Sequence, residues 1–274
     1  MAIILNGTAP DVDARFIDER GFPYGVKHID NKPRVSAMPY LYDIAEDNIP
    51  GHYAIREFGH NGVVAAAWET VHSASTLRTY LAAGERLQIT STDAADDGAP
   101  AGDGARTVDI FGLDDNYDLL TETVTMNGVA NVLTDASFLR VTGMTVATAG
   151  VTGYNEGDIT ASNNADAIVL DMMEAQHNKS LSAVFTVRAG YTGYITLIMA
   201  SEASLKGSEF GLWVRLFGGV WQIRKSIVLL GSSFVLPMSV PLQLPEKTDV
   251  EMRCRGILAG AVAGAGFEGW FEAN

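Results

Sequence analysis

Four aspartates in one loop are the side chains of this sequence whose type and spacing could bind a metal ion. Asp93, Asp96, Asp97 and Asp103 lie within STDAADDGAPAGDGARTV, residues 91–108. Calcium takes about six to eight oxygen ligands, which carboxylates can supply. The glycine, alanine and proline between these aspartates are instead typical of a solvated loop, and the glycines lack the spacing that cradles a phosphate. We expect a loop without a metal, and calcium binding by the four aspartates is the alternative.

A second acidic segment, GLDDNYD at residues 112–118, could be either a metal site or a bend. Aspartate and asparagine hydrogen-bond to their own backbone and tolerate left-handed conformations, so they are favoured where strands reverse. A calcium loop of the EF-hand kind needs a glycine inside the loop and a glutamate at its end. Here the glycine precedes the acids and two leucines follow them. The segment therefore predicts a hairpin bend.

No arrangement typical of catalysis is visible. His52, Glu57 and His60 are near enough in sequence to share a metal, but their spacing matches no zinc pattern, and we interpret the histidines as ordinary loop residues. There is no Gly-x-Ser-x-Gly elbow for a nucleophilic serine. The one cysteine, Cys254, has the position of a small buried apolar side chain. We predict no catalytic residue, no cofactor and no enzymatic activity, and a capsule depolymerase is the enzymatic alternative.

The composition narrows the class of protein. Apolar residues make up 47% of the 274 residues and charged residues 19%, which indicates a globular chain. The formal net charge of -14 argues against a nucleic-acid partner, because phosphate binding needs clustered Lys and Arg. A single cysteine excludes an intrachain disulfide. With no signal peptide and no apolar run of about 18 residues, the sequence predicts no membrane partner and folding in a cytoplasm.

Residues 1–50 differ in pattern from the rest. They mix charges, prolines and isolated aromatic residues without a period of two or 3.6 residues. Such a segment cannot bury much of its own surface, so we predict an extended N-terminal arm that orders on a neighbouring subunit, with a disordered terminus as the alternative. The aromatic residues expected at that interface are Phe16, Phe22, Tyr24, Tyr40 and Tyr42.

A β-rich domain is predicted over residues 51–162. β-Branched residues at a period of two, separated by Gly, Asn and Asp, are typical of strands. They occur in RLQITST, RTVDIFGL, TETVTMNG, FLRVTGMTVATAG and GDITAS. The one helical candidate is a short helix within residues 63–84, whose Ser and Thr content is unfavourable.

After the polar stretch ASNNADA, strands recur about every ten residues, which predicts an antiparallel, jelly-roll-like β-sandwich over residues 163–274. The clearest pattern lies in residues 248–255, where Val250, Met252 and Cys254 are predicted to be buried. The solvated face is predicted for the charged residues between them: Asp249, Glu251, Arg253 and Arg255.

Three tryptophans complete the candidate interface. We interpret Trp213, Trp221 and Trp270 as core or subunit-interface residues, as aromatic residues of a sandwich commonly are. The alternative is a sugar platform formed by these tryptophans with Phe217 and the aspartate-rich loop, with a host surface glycan as the ligand.

Several ordered motifs run through residues 50–274. They are IREFGHNGVV with AAWET, then LQITSTDAADDGAPAGDGARTVDIFGLDDNYDLLTETVTMNG, FLRVTGMTVATAGVTGYNEGDIT, RLFGGVWQIRKSIVL, and VPLQLPEKTDVEMRCRG with GFEGWF. Together these motifs resemble a family of virion structural proteins of tailed bacteriophages, many of them marine or environmental. The arm before residue 50 lies outside the resemblance.

The resemblance implies a structural component of the virion, assembled in the host bacterial cytoplasm. We expect a capsid decoration or cement protein, or a head fibre, anchored by the arm. The alternatives are a tail or baseplate component and a receptor-binding protein. The exposed edge strands of β-sandwiches must be covered to prevent aggregation. We predict that a homo-oligomer, a trimer, covers them. Other capsid or tail proteins are the further partners that we expect.

Overall fold

The structure is a computed structural model of an all-β chain. It describes residues 40–274 completely, and before them the backbone of four short segments: residues 3–6, 13–17, 23–29 and 32–35. Strands make up 55% of the chain and helix 3%, with several antiparallel sheets, so the predicted all-β class is confirmed. The chain divides into two compact units, Met1–Pro50 and Gly51–Asn274.

Over its described residues, the first unit contains four strands and a short helix. The strands form an antiparallel sheet in the order β1-β2-β3-β4, so that strands adjacent in sequence are also adjacent in the sheet. The elements are β1 (Ile3–Asn6), β2 (Asp13–Ile17), β3 (Pro23–Ile29), β4 (Lys32–Val35) and α1 (Tyr40–Ala45). The segment predicted as an extended arm therefore includes strands that pair with one another.

The second unit is built from strands. In chain order they are β5 (His52–Val64), β6 (Glu69–Thr70), β7 (Gln88–Ser91), β8 (Ala105–Leu113), β9 (Leu119–Thr125), β10 (Val132–Leu133), β11 (Arg140–Ala149), β12 (Ile159–Ser162), β13 (Val169–Met173), β14 (Val184–Thr186), β15 (Tyr191–Glu202), β16 (Ser208–Arg215), β17 (Gln222–Leu229), β18 (Ser233–Leu244), β19 (Asp249–Gly256) and β20 (Ala261–Ala273). The predicted strands of the middle region are present as β7, β8, β9, β11 and β12, and those after residue 167 as β13 to β20.

One hydrophobic core belongs to the middle strands. It lies among a sheet of order β10-β7-β12-β13 and a sheet of order β11-β8-β9. Val108 and Ile110 of β8 are fully buried, and Val124 of β9 is 4% exposed, as their alternation with polar residues predicts. The acidic segment at residues 112–118 is the bend between β8 and β9, which confirms that prediction.

A second core belongs to the strands at both ends of this unit. It draws on a sheet of order β18-β15-β20-β5 and on a sheet of order β14-β19-β16-β17, in which β6 also pairs with β19. Strand β5 thus joins strands far from it in sequence. Gly59 makes this close packing feasible, because a Cβ there would lie 1.9 Å from the carbonyl oxygen of Val71.

The helical candidate within residues 63–84 does not form a helix in the structure. β5 ends at Val64, β6 follows at Glu69–Thr70, and the rest of the segment is irregular. Its backbone bonds to other parts of the chain, since the N–H of Val71 donates to Met252 and its carbonyl accepts from Ala183. Tertiary pairing of this kind overrides a weak helical propensity.

The boundary expected at residue 162 lies between paired strands. β12, which ends at Ser162, hydrogen-bonds to β13, and Leu170 and Met173 of β13 belong to the middle core. Over the part of the chain that the structure describes, no helix has the length and apolar character needed to cross a membrane.

Candidate functional site

Three of the four charged residues on the polar face of β19, Asp249, Glu251 and Arg253, are buried rather than solvated, whereas Arg255 is exposed as predicted. Val250, Met252 and Cys254 lie in the core as predicted, and burial raises the pKa of the Cys254 thiol to about 12. The opposite face was predicted to be wet, but Asp249 is 2% and Glu251 0% exposed. The sequence showed the alternation correctly, but it did not reveal that other segments cover the polar face.

Glu251 is covered by β6 and the irregular segment that follows it. The hydroxyl of Thr70 donates to its carboxylate at 2.7 Å and the hydroxyl of Tyr80 at 3.4 Å. Arg253 pairs with the same carboxylate, its Nε lying 2.5 Å from Oε1. Burial raises the pKa of Glu251, and the charge of Arg253 only partly offsets this effect.

Asp249 joins the two cores through its carboxylate. Arg140, at the start of β11, donates from Nε at 2.8 Å and from Nη2 at 3.2 Å. Arg215, at the end of β16, donates from Nε at 3.1 Å and from Nη2 at 2.6 Å, and the Thr186 hydroxyl donates at 2.7 Å. Burial opposes the charge on Arg140, but the hydrogen bond and charge of Asp249 outweigh it and raise the pKa of Arg140. One carboxylate therefore holds two guanidinium groups.

Guanidinium groups and aromatic rings alternate across this face. Arg215 lies 4.7 Å from the ring centroid of Tyr80 and 4.9 Å from that of Trp221. Arg253 lies 4.6 Å from the ring centroid of Trp221 and 4.6 Å from that of Trp213. Such cation–π contacts are worth about 0.5–2 kcal/mol each, depending on desolvation. The row fixes the positions of both arginines.

A cleft of about 280 Å³ lies at one end of this row. Its lining includes Tyr80, Tyr117, Arg140, Arg215, Phe217, Lys247 and Asp249. The ring of Tyr117 meets that of Phe217 edge-on at 5.9 Å, and Lys247 Nζ lies 5.4 Å from the first ring and 5.2 Å from the second. The residues come from the segment between β6 and β7, the bend after β8, the start of β11, the end of β16 with the turn after it, and the turn before β19, so elements that border both cores contribute.

The cleft is cationic in an acidic chain. Arg140, Arg215 and Lys247 face one carboxylate, Asp249, against a formal net charge of -14 for the whole protein. Within residues 40–274, Lys247 forms no ion pair with a carboxylate. This concentration of positive charge was not predicted, because the contributing residues are separated by tens of positions in the sequence.

Two of the predicted tryptophans, Trp213 and Trp270, lie on different sheets, and Trp221 lies in the connection just before β17. Trp213 of β16 packs edge-on against Trp68 at 5.6 Å and shares Arg253 with Trp221. Trp270 lies on β20, stacked on Tyr194 at 4.9 Å, with its Nε1 donating to a glutamate of the same strand. The structure therefore brings Trp213 and Trp221 together and places Trp270 elsewhere.

Some predicted interface residues lie outside the described side chains. Phe16 and Tyr24 belong to β2 and β3, of which the backbone alone is described, and Phe22 falls outside the described residues. Tyr40 and Tyr42 lie on α1, where their side chains are 44% and 60% exposed.

Asp96 of the aspartate-rich loop is a buried structural acceptor. Its two oxygens accept from the Ser91 hydroxyl at 2.6 Å and from the backbone N–H of Ala105, Glu156 and Gly157 at 2.7 to 2.9 Å. A carboxylate has about four lone-pair sites, so these four donors occupy them. The carboxylate links three segments of the middle domain and has no acceptor capacity left for calcium.

The other aspartates of the loop do not gather around a common point. Asp93 and Asp97 accept the backbone N–H two residues ahead, from Ala95 and Ala99, as turn residues do. No group of three or more His, Cys, Asp or Glu side chains that could hold a metal ion occurs in the fully described part of the chain.

His52 and His60 have separate acidic partners. His52 Nε2 lies 3.2 Å from Glu272, and His60 Nδ1 lies 3.3 Å from Glu174. Glu57, which was considered with them, is largely buried, and this burial raises its pKa to about 7 while the nearby Lys179 opposes the rise. The structure does not bring these three residues together as a metal site.

Comparisons with known proteins provide no family. No protein-family model matches this chain, and no curated protein matches it. Among solved structures, one match is a chain from "Structure of infectious bursal disease virus Gt strain", which is 10% identical over 86% of this chain and 76% of that chain. The TM-score of 0.19 is too low for the likeness to support a statement about fold or function.

Proposed function

We propose that this protein is a non-enzymatic structural component of a tailed-phage virion, which acts as a homo-oligomeric capsid decoration, cement or head-fibre protein. The proposal begins with the resemblance of residues 50–274 to such proteins. The structural observation that supports it best is the exposed apolar surface of two edge strands, β17 and β18, which we call the β17–β18 surface.

The β17–β18 surface is formed by strands that are consecutive in sequence but lie at the edges of two different sheets. β17 ends the sheet β14-β19-β16-β17, and β18 ends the sheet β18-β15-β20-β5. Both present large apolar side chains to solvent: Val228 is 57%, Val235 59% and Val240 81% exposed. Between the two strands, a cavity of about 80 Å³ reaches core residues such as Phe210. Large exposed apolar side chains on neighbouring edge strands favour a contact surface.

A second copy of the chain is the occupant we assign to this surface. The exposed strand β17 carries two adjacent cations, Arg224 and Lys225, which can pair with carboxylates of an acidic sister copy. Strand addition is disfavoured, because β18 contains Pro237 and Pro241 and its register with β15 is shifted between Ile195 and Leu197. We therefore expect copies to associate through side-chain faces, in a closed homotrimer.

The finer architecture is part of the proposal. The two cores between facing sheets support β-sandwiches, jelly-roll-like in the C-terminal one. Residues 1–50 would anchor each copy to a neighbouring capsid or tail protein. The virion is the site of action after assembly in the bacterial cytoplasm.

Particle incorporation tests this function. The phage is propagated with a tagged gene copy that lacks residues 1–45, and purified virions are blotted for the tag. We expect the truncated chain to be lost from virions while it still accumulates in the infected cell. Undiminished incorporation would remove the arm from the mechanism, and absence of even the full-length tagged chain from purified virions would contradict the virion function.

A tail or baseplate position and receptor binding are the alternatives. Immunogold labelling of virions separates capsid from tail. The receptor surface predicted from Trp213, Trp221 and Trp270 has less support, because Trp270 lies in a different sheet from Trp213, beside which Trp221 is placed. A glycan array with Trp270→Ala and Trp221→Ala variants tests it, and binding that neither substitution changes would contradict that surface.

A further inference from the structure

We propose that the cleft lined by Tyr117, Arg215, Phe217 and Lys247 binds a carboxylate-bearing sugar, such as a uronate or sialate unit of an acidic saccharide. This inference does not depend on the position of the protein in a virion. It follows from the charge, the exposed ring and the backbone conformation of the cleft.

The charge of the cleft selects an anion. Asp249 offsets one of the three cations of the cleft, which leaves a formal excess of two positive charges. Arg215 donates from Nε and Nη2 to Asp249, and its Nη1 has no hydrogen-bond partner in the described part of the chain. Arg215 is 26% exposed, so this donor and the Lys247 ammonium can reach a ligand carboxylate.

The exposed ring selects a ligand with an apolar face. Phe217 is 66% exposed, although it lies beside Lys247 in a cleft that two arginines also line. Its ring is supported edge-on by the buried Tyr117, which fixes its position. The C–H face of a pyranose ring packs on such a ring while its carboxylate meets the cations. A small inorganic anion would leave Phe217 uncovered.

The backbone donors of the cleft argue against a phosphate site. Phosphate is commonly held by backbone N–H groups of glycine-rich turns or helix N-termini. The N–H of Gly219, at the edge of the cleft, is already bonded to the carbonyl of Leu216 at 2.8 Å. Side-chain cations are the available donors, and the planar fork of arginine matches a carboxylate.

Two residues of the cleft adopt a conformation that is unfavourable for them. Tyr117 has φ of 65° and Lys247 has φ of 59°, both in the left-handed region where residues with long or bulky side chains are rare. Backbone strain of this kind persists where the surrounding structure imposes it, and it is concentrated at ligand sites. Here it positions the two side chains that contact Phe217.

The volume indicates how much ligand is held. At about 280 Å³, the cleft is near the lower limit of ligand pockets, which span about 300–1,000 Å³. We therefore expect one sugar unit to be enclosed, with its neighbours in solvent.

Calorimetric titration of the purified full-length chain tests the inference. The probes are trigalacturonic acid, a hyaluronan tetrasaccharide and sialyllactose, with lactose as the neutral counterpart of the last and inorganic phosphate as the anion without a sugar. We expect saturable binding of at least one acidic saccharide, weakened by added salt, and no binding of lactose.

Three variants separate the contributions. Lys247→Asn removes the ammonium but keeps a residue that tolerates left-handed backbone, and Phe217→Ala removes the exposed ring. Each is expected to weaken saccharide binding by about tenfold or more without lowering the melting temperature substantially. The control is Lys206→Met, which removes an exposed lysine near the opposite end of β16 and should bind as the wild type does.

Specific results would overturn the proposal. They are the absence of saturable binding to all three acidic saccharides, equal affinity for lactose and sialyllactose, equal affinity for phosphate and the best saccharide, and unchanged binding in folded Lys247→Asn. Virion incorporation is measured separately, so a failure here leaves the structural function standing.

Discussion

Asp96 shows how one carboxylate can organise a loop. Because four donors converge on its two oxygens, replacement by asparagine would set an NH₂ group against N–H donors. We expect Asp96→Asn to lower the free energy of unfolding by about 3 kcal/mol, as loss of a buried hydrogen-bonded network does. Urea unfolding followed by tryptophan fluorescence measures it.

The matched control is Asp97→Asn in the same loop. Asp97 accepts one exposed backbone N–H, which an asparagine carbonyl can also accept. We expect a change of less than about 0.5 kcal/mol. Equal losses in the two variants would show that Asp96 is not the anchor of the loop.

Glu57 should make stability depend on pH. Its pKa is raised from 4.5 to about 7, mainly by burial, so the folded state holds a proton that the unfolded state releases above pH 4.5. This contribution is present at low pH and is lost as the pH rises through about 7. His72 acts in the opposite direction, because burial lowers its pKa from 6.5 to about 4 and its contribution is lost as the pH falls through that range.

The Glu57→Gln variant isolates the glutamate contribution. The difference in melting temperature between the variant and the wild type should favour the variant more at pH 8 than at pH 5. The reason is that glutamine carries no charge that must be buried. Glu268→Gln, on the adjacent strand β20, controls for the loss of an exposed carboxylate. A difference from the wild type that is the same at every pH would contradict the assigned pKa.

At the scale of elements, alternation predicted the strands well. Val108, Ile110 and Val124 are buried where the period of two places them. The same pattern failed on the polar face of β19, because Asp249 and Glu251 look solvated in sequence and are covered by segments from elsewhere. Periodicity shows which residues share a face, but it does not show what lies on that face.

At the scale of elements, the β17–β18 surface provides a testable prediction. Val235→Glu together with Val240→Glu places charges on a surface that we expect a sister copy to cover. We expect the association to weaken by at least about tenfold, since a buried unpaired charge is costly. Both valines are more than half exposed in the single chain, so the melting temperature of the dissociated protein should change little.

Val151→Glu is the matched control for that double variant. Val151 is 83% exposed and lies in the turn after β11, which is not part of the β17–β18 surface. Light scattering after size-exclusion chromatography should give the Val151→Glu variant the same oligomeric mass as the wild type. If the double variant and the control associate equally, the β17–β18 surface is not the contact surface.

At the scale of the whole molecule, sequence order and spatial order diverge. β5 begins the second unit in sequence, yet it completes the sheet of β15, β18 and β20. The cleft has the same origin, because Arg140 reaches Asp249 across 109 positions. Local patterns cannot reveal such contacts. The all-β class was therefore predictable, whereas of the cleft residues the sequence singled out Phe217, as part of a sugar platform, and not the cations around it.

Sedimentation velocity of the full-length chain, from submicromolar to high micromolar concentration, tests the central claim most directly. If the chain acts by assembly, the trimer should predominate at the upper concentrations, and the Val235→Glu, Val240→Glu variant should sediment as a smaller species. A wild-type chain that sediments as a monomer throughout this range would contradict the account.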